Sequence, residues 1–215
     1  MATWMTHFRI ADKLIDIIGP DKLDLPAFVI GNIAPDCGTP NSDGLTYTPD
    51  KDITHFGYTE DRDYKKFRQE YLEKSFDNKS RSLYLGYYLH LLTDEEWGRL
   101  ISSPKIENMM KKNPDEGAVS EKIRSDGFDL DKLYLEKHPQ MRAYKIFTSV
   151  VSFPNVYFEF FPEDAFEVQI NRIRDFYNNL SVNAEKEYRY LTEKELEWFI
   201  ENAVVNMVPK IKKLL

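Results

Sequence analysis

The chain has 215 residues, 42% of them hydrophobic and 14% aromatic, and carries a formal net charge of −7. That is enough apolar material for one substantial core and too much for a disordered chain. The acidic balance excludes a large basic footprint for a nucleic-acid backbone, but not a phosphoesterase whose bound cations reset the charge at its site.

In chain order, "MATWMTHFRIADKLIDIIGP" predicts an amphipathic helix, with Trp4, Phe8, Leu14, Ile15 and Ile18 on one face and Gly19–Pro20 as its stop. Arg9, Asp12, Lys13 and Asp16 interrupt its apolar run, so no secretory signal is expected there. No stretch reaches the ~20 apolar residues of a membrane span. The expectation is a soluble, cytoplasmic protein.

In "LPAFVIGNIAPD", Pro26 suits a first helical turn, and Gly31 and Pro35 end the segment. Residues 36–54 are rich in Asp, Gly, Pro, Thr and Asn and read as a long loop of the kind that is often functional. Its Cys37 is the chain's one cysteine, which excludes an intrachain disulfide and a thiolate zinc cluster. Asp61–Phe76 predicts a charged helix with Tyr64, Phe67, Tyr71 and Phe76 on its inner face.

"NKSRSLYLGYYLHLLTDEEWGRLI" is the most apolar helical stretch and is expected at the centre. Residues 102–127, polar and holding two prolines, read as an irregular insertion. "EKHPQMRAYKIFTSVVSFP", "PEDAFEVQINRIRDFYNNL" and "TEKELEWFIENAVVNMVPKIKKLL" predict further helices, the last opened by a Thr192–Glu195 capping box. "SVVSFPNVYFEFF" fits strand or helix. The sum is an all-α, compact multi-helix bundle, one domain spanning residues 1–215.

The chain has four histidines: His7, His55, His90 and His138. On a helix, residues four apart lie one turn apart on one face, so His90 and Asp94 point the same way. They can hydrogen-bond each other as a satisfied polar core pair, or grip one ion such as zinc, manganese or iron. Asp36, after a proline at the mouth of the long loop, reads as a turn former or as a carboxylate aimed without distorting a helix. His55, where the loop ends, reads as a cap or a ligand. His7, on the inner side of the first helix, reads as a core histidine or a ligand. Together these side chains make a mixed His/Asp set suited to one or two hydrolytic metals.

In their order, "MATWMTHFRIADKL", "FVIGNIAPD", "DITHF" and "YLGYYLHLLTDEEW" resemble the zinc-dependent phospholipase C family, within the all-helical group that includes P1/S1-type nucleases. The resemblance covers roughly the first 100 residues. It implies one metal held by Asp36, His55, His90 and Asp94, with Asp94 bridging to a second metal that also touches His7. It further implies that Asp36 serves as both ligand and general base for a water that attacks phosphorus.

The sequence departs from the family in two places. Secreted members use the amine of an N-terminal Trp as a ligand, whereas Trp4 here follows Met-Ala-Thr. The family's downstream His, His and Glu ligands have no match, because His138 is the only histidine after His90. One or two ions, not three, is therefore the expectation, with zinc first and manganese or iron as alternatives. Asp126, Asp129 and Asp131 in "SDGFDLD" read as a solvated loop or helix cap, or as replacement ligands.

The expected function is a zinc-dependent phosphoric-ester hydrolase, a phospholipase C-like phosphodiesterase for which a small soluble phosphoester fits as well as a lipid. One alternative is a nuclease-like phosphodiesterase with Tyr47, Phe56 and Tyr58 stacking a base, disfavoured by the acidic charge. The other is a non-catalytic helical binding protein with a structural metal.

Overall fold

The computed structural model describes residues 1–43, 46–57, 64–74, 76–112, 116–182 and 186–215, and all their side chains except those of residues 116 and 117. Ten α-helices are found among the described residues: α1 (Trp4–Ile18), α2 (Leu25–Gly31), α3 (Lys51–Thr54), α4 (Tyr64–Phe67), α5 (Asn78–Trp97), α6 (Ser103–Met110), α7 (Glu116–Lys137), α8 (Arg142–Ser149), α9 (Ala165–Asn179) and α10 (Glu193–Lys212). The described strands are two residues each, β1 (Thr39–Pro40) antiparallel to β2 (Tyr47–Thr48). The fold is all-α, as the hydrophobic spacing predicts.

Helix α5 is the centre. From Ser82 to Asp94 every residue is buried, so this stretch has no solvent face. The Asp77 carboxylate caps it by accepting the Ser80 N–H. Helices α1, α2 and α10 pack on it. The closest of these contacts is with α2. A Cβ on Gly31 would stand 2.0 Å from the Leu83 carbonyl oxygen, and one on Gly86 would stand 2.0 Å from the Phe28 carbonyl oxygen. Two glycines therefore let two backbones touch, each helix supplying one. The crossing fixes α5 against the turn of residues 34–36 that follows α2.

The helix ends follow local chemistry. Gly19, at φ 102°, stops α1 in a conformation that side-chain-bearing residues rarely adopt. Asp24 accepts the Ala27 N–H at the start of α2, and the Thr192–Glu195 capping box opens α10.

Three expectations are corrected. Residues 102–127 are not an irregular insertion where described: α6 and the first half of α7 occupy them, and Pro104 is tolerated because it sits in the first turn of α6. The segment 150–164 is neither strand nor helix. It is an aromatic loop pinned by Asn155, whose side-chain amide donates to the carbonyls of Phe158 and Phe161 and whose Oδ1 accepts the N–H groups of Tyr157 and Phe158. The loop expected at 36–54 holds β1, β2 and α3. The start of the helix expected at 61–76 lies outside the described residues, as does Tyr58; from Tyr64 that helix runs as α4 and one π-helical turn through Leu72.

Buried Asp131 gives a pH signature. Its two oxygens accept the Thr3 and Tyr177 hydroxyls, yet burial pushes its carboxyl up from 3.8 to about 7. The unfolded chain releases this proton near pH 3.8 while the folded chain keeps it until about 7, so this group's contribution to stability falls as pH climbs through that window. The loss is about 1.4 kcal/mol per pH unit at most. Asp131→Asn is expected to remove that term. Its melting temperature should gain on the wild type steadily from pH 4 to 7, which thermal scans across that range would show.

Candidate metal centre

Four elements converge under the N-terminal strand of chain. Helix α1 brings His7, the turn after α2 brings Asp36, the residue closing α3 is His55, and α5 brings His90 and Asp94. His7 and His90 are fully buried, and Asp94 and His55 nearly so. All five residues singled out from sequence thus meet in one place. Ligand-capable atoms of His7, His90 and Asp94 lie within 4.8 Å of one another, as do those of Asp36, His55 and His90.

The two oxygens of Asp94 face different partners. Oδ1 stands 3.5 Å from His7 Nε2 and accepts the Ala2 N–H at 2.9 Å. Oδ2 stands 3.7 Å from His90 Nε2 and 3.8 Å from His55 Nε2. Asp36 Oδ1 lies 3.7 Å from His55 Nε2 and 3.7 Å from Lys51 Nζ, while Asp36 Oδ2 accepts the Trp4 indole N–H at 3.0 Å. The His7 and His90 rings stack with centroids 3.9 Å apart and planes within 2°.

The histidine–carboxylate distances, 3.5 to 3.8 Å, exceed hydrogen-bond length. Among the described residues, both ring nitrogens of His7, Nε2 of His90 and Oδ2 of Asp94 have no hydrogen-bond partner. Polar atoms left unsatisfied in a core cost about 1–3 kcal/mol each. Several of them aimed at one another, with room for an ion between, fit a metal better than a polar core pair.

The tautomers are set from outside. His90 Nδ1 lies 2.9 Å from the Asn32 carbonyl oxygen, which can only accept, so Nδ1 carries the proton and Nε2 presents its lone pair. His55 Nδ1 pairs with the Thr54 hydroxyl at 2.9 Å, and Tyr87 donates its hydroxyl to the Thr54 carbonyl. Burial, with His7 beside it, pushes His90 down to about 3, so it is neutral at physiological pH. Burial alone would raise Asp36, but the charges of Lys51, His90 and His55 hold it down at about 2. Burial likewise opposes ionisation of Asp94, but His7, 3.5 Å from its Oδ1, and nearby positive charge hold its carboxyl well below the usual range. Two ionised carboxylates and a neutral imidazole are a zinc donor set.

The structure also shows what does not join the centre. Asp126 accepts the Tyr190 and Leu191 N–H groups and pairs with Lys186, which also pairs with Asp129. With Asp131 held by Thr3 and Tyr177, that acidic trio is structural and completes no second site. His138 sits in the turn between α7 and α8 against Tyr134, with ring centroids 4.3 Å apart. Buried Cys37 is absent from both donor groups. Phe56, proposed as a base-stacking platform, packs inward on Phe67, Tyr71 and Tyr87.

Sequence reasoning missed the supports: the Ala2 N–H, the Trp4 indole, the Asn32 carbonyl and the Thr54 hydroxyl. Only Thr54, adjacent to His55, carried a local signal.

Residues 6–95 match the family model described as zinc dependent phospholipase C. The matched segment contains His7, Asp36, His55, His90 and Asp94. The all-α architecture agrees with it. No curated protein and no solved structure matches the chain. Among the described residues, no helix is long and apolar enough to cross a membrane.

Proposed function

We propose, from the match of residues 6–95 to the model of the zinc-dependent phospholipase C family, that the chain is a metal-dependent phosphoric-ester hydrolase and that residues 1–215 form one domain. The observation that carries this reading is the buried, unsatisfied His/Asp cluster inside the matched segment. Asp36, His55, His90 and Asp94 through Oδ2 would hold one zinc ion. His7 with Asp94 Oδ1 would hold a second, more weakly, because that oxygen already accepts the Ala2 N–H. Zinc bound there would supply Lewis acidity toward a phosphate oxygen and a water of lowered pKa.

The chain's own groups do the rest. Asn32 and Thr54 orient the imidazoles, and the Trp4 indole fixes the Asp36 carboxylate by one of its oxygens. The other Asp36 oxygen, beside Lys51, is the candidate to accept a proton from the attacking water. The dry leucine and tyrosine packing of α5 strengthens these interactions. A small soluble phosphoester and a lipid headgroup are equally compatible with this chemistry.

The test is turnover of chromogenic phosphodiesters and phosphomonoesters by the zinc-loaded protein. Hydrolysis abolished by chelator and restored by zinc is expected. Bound zinc with no hydrolysis of any ester would make the centre structural and the chain a binding protein. Asp36→Asn separates the two roles of that carboxylate. Loss of turnover with metal retained supports proton transfer, whereas loss of both reduces Asp36 to a ligand.

A further inference from the structure

A cavity of about 280 Å³ opens directly on Asp36 and the N-terminal residues. Its wall carries three cations from three separate elements, Lys51 of α3, Arg124 of α7 and Arg172 of α9, against one carboxylate, Asp36. That is a local reversal of sign in a chain of net charge −7. Lys51 is partly committed to Asp36, 3.7 Å away. Among the described residues, neither Arg124 nor Arg172 makes an ion pair, although most other arginines of the fold do. The lining also includes aromatic rings. Trp4, Phe128 and Phe176 pack edge to face or tilted, with centroids 4.9 to 6.2 Å apart. The Arg172 guanidinium already lies over the Trp4 ring, 5.7 Å from its centroid.

We infer that this cavity receives a second anionic group of the substrate, so that the preferred substrate is a phosphoester carrying a further phosphate or carboxylate, with Arg124 and Arg172 setting that preference. Planar guanidinium groups match phosphate and carboxylate oxygens. Aromatic rings alone would suit a quaternary ammonium. Here three cations repel one, and one of them lies over the Trp4 face. The cavity borders the metal centre through Asp36, so one ligand can span both. The inference rests on the hydrolase reading above.

The test uses three p-nitrophenyl diesters with the zinc-loaded protein: the thymidylate ester, the same ester with an additional phosphate on the sugar, and the phosphocholine ester. The added phosphate is expected to raise kcat/KM about tenfold or more, with the choline ester poorest. In Arg124→Gln and Arg172→Gln that gain should shrink about tenfold. Turnover of the plain thymidylate ester with no gain from the added phosphate, or a preference for choline, overturns this inference and leaves the hydrolase reading standing.

Absence of turnover on all three overturns the hydrolase reading instead. The cavity is then judged by calorimetry of inorganic pyrophosphate against metal-stripped, desalted protein. Binding weakened about tenfold by Arg172→Gln supports an anion site, and no binding to the wild type overturns it. Vesicles of phosphatidylcholine containing phosphatidylinositol phosphate, run beside the soluble ester, tell a lipid headgroup from a soluble source. Cleavage of phosphatidylcholine in preference to the anionic lipid counts against the inference.

Discussion

Asp94→Asn is expected to strip the chain of its tightest metal and to lower turnover by about a thousandfold or more. Its carboxylate faces three histidines: His7 on one oxygen, His55 and His90 on the other. Asparagine keeps the shape and can still accept the Ala2 N–H, but it removes the negative charge and turns one of the two facing groups into a donor. A donor aimed at the Nε2 lone pair of His90 closes the site with a hydrogen bond. Metal content by elemental analysis, together with kcat/KM, checks this; retention of metal at wild-type level would show that Asp94 is not a ligand. His7→Ala is the milder companion, expected to lose the weaker ion while Asp36, His55, His90 and Asp94 keep the other.

Gly86→Ala is expected to lower unfolding stability by about 3 kcal/mol or more, equivalent to roughly 6–12 °C in melting temperature for a chain of this size. The added carbon would meet the Phe28 carbonyl oxygen at 2.0 Å and the Asn32 nitrogen at 2.8 Å, both backbone atoms that cannot rotate away. Relief requires α2 and α5 to separate. That would draw the Asn32 carbonyl from His90 and shift Asp36 relative to the α5 ligands, so metal affinity should fall with stability. Gly98→Ala is the control. It has helical backbone angles and an added Cβ meets nothing within 4 Å, so it should be neutral or slightly stabilising. Equal effects of the two substitutions would mean that close backbone approach is not what the α2–α5 crossing depends on.

The centre's side chains were legible in sequence because each carried a short-range signal. His90 and Asp94 share a face by helical spacing, and Asp36 and His55 bracket a segment too rich in Gly, Pro and Asp to be regular. What supports them was not legible. The Ala2 N–H reaches Asp94 across 92 residues, the Trp4 indole reaches Asp36 across 32, and the Asn32 carbonyl reaches His90 across 58. No local pattern encodes such contacts.

Helix α7 was hidden for a different reason. Its buried face runs Val119, Ile123, Asp126, Leu130, Asp131, so carboxylates stand where apolar residues would have revealed the period. Each carboxylate is satisfied by a partner distant in sequence: Tyr190 and Leu191 for Asp126, Thr3 and Tyr177 for Asp131. Gly31 was legible as a helix end. Its second use, as the contact point for Leu83, depends on a neighbour 52 positions away. The cations of the cavity, Arg124 and Arg172, lie in helices whose surface charges look alike until the fold brings two of them to one wall.

The central claim, that buried His7, Asp36, His55, His90 and Asp94 form a metal centre, is tested most directly by elemental analysis of protein purified without chelator, paired with its melting temperature before and after stripping. About one zinc ion per chain held tightly, with a second lost on dialysis, is expected. At zinc a thousandfold above its Kd, binding is worth about 4 kcal/mol, so the stripped protein should melt about 10 °C lower and recover on adding zinc. Metal-free protein whose melting temperature is unmoved by zinc, manganese or iron would contradict the claim and leave the cluster a polar core.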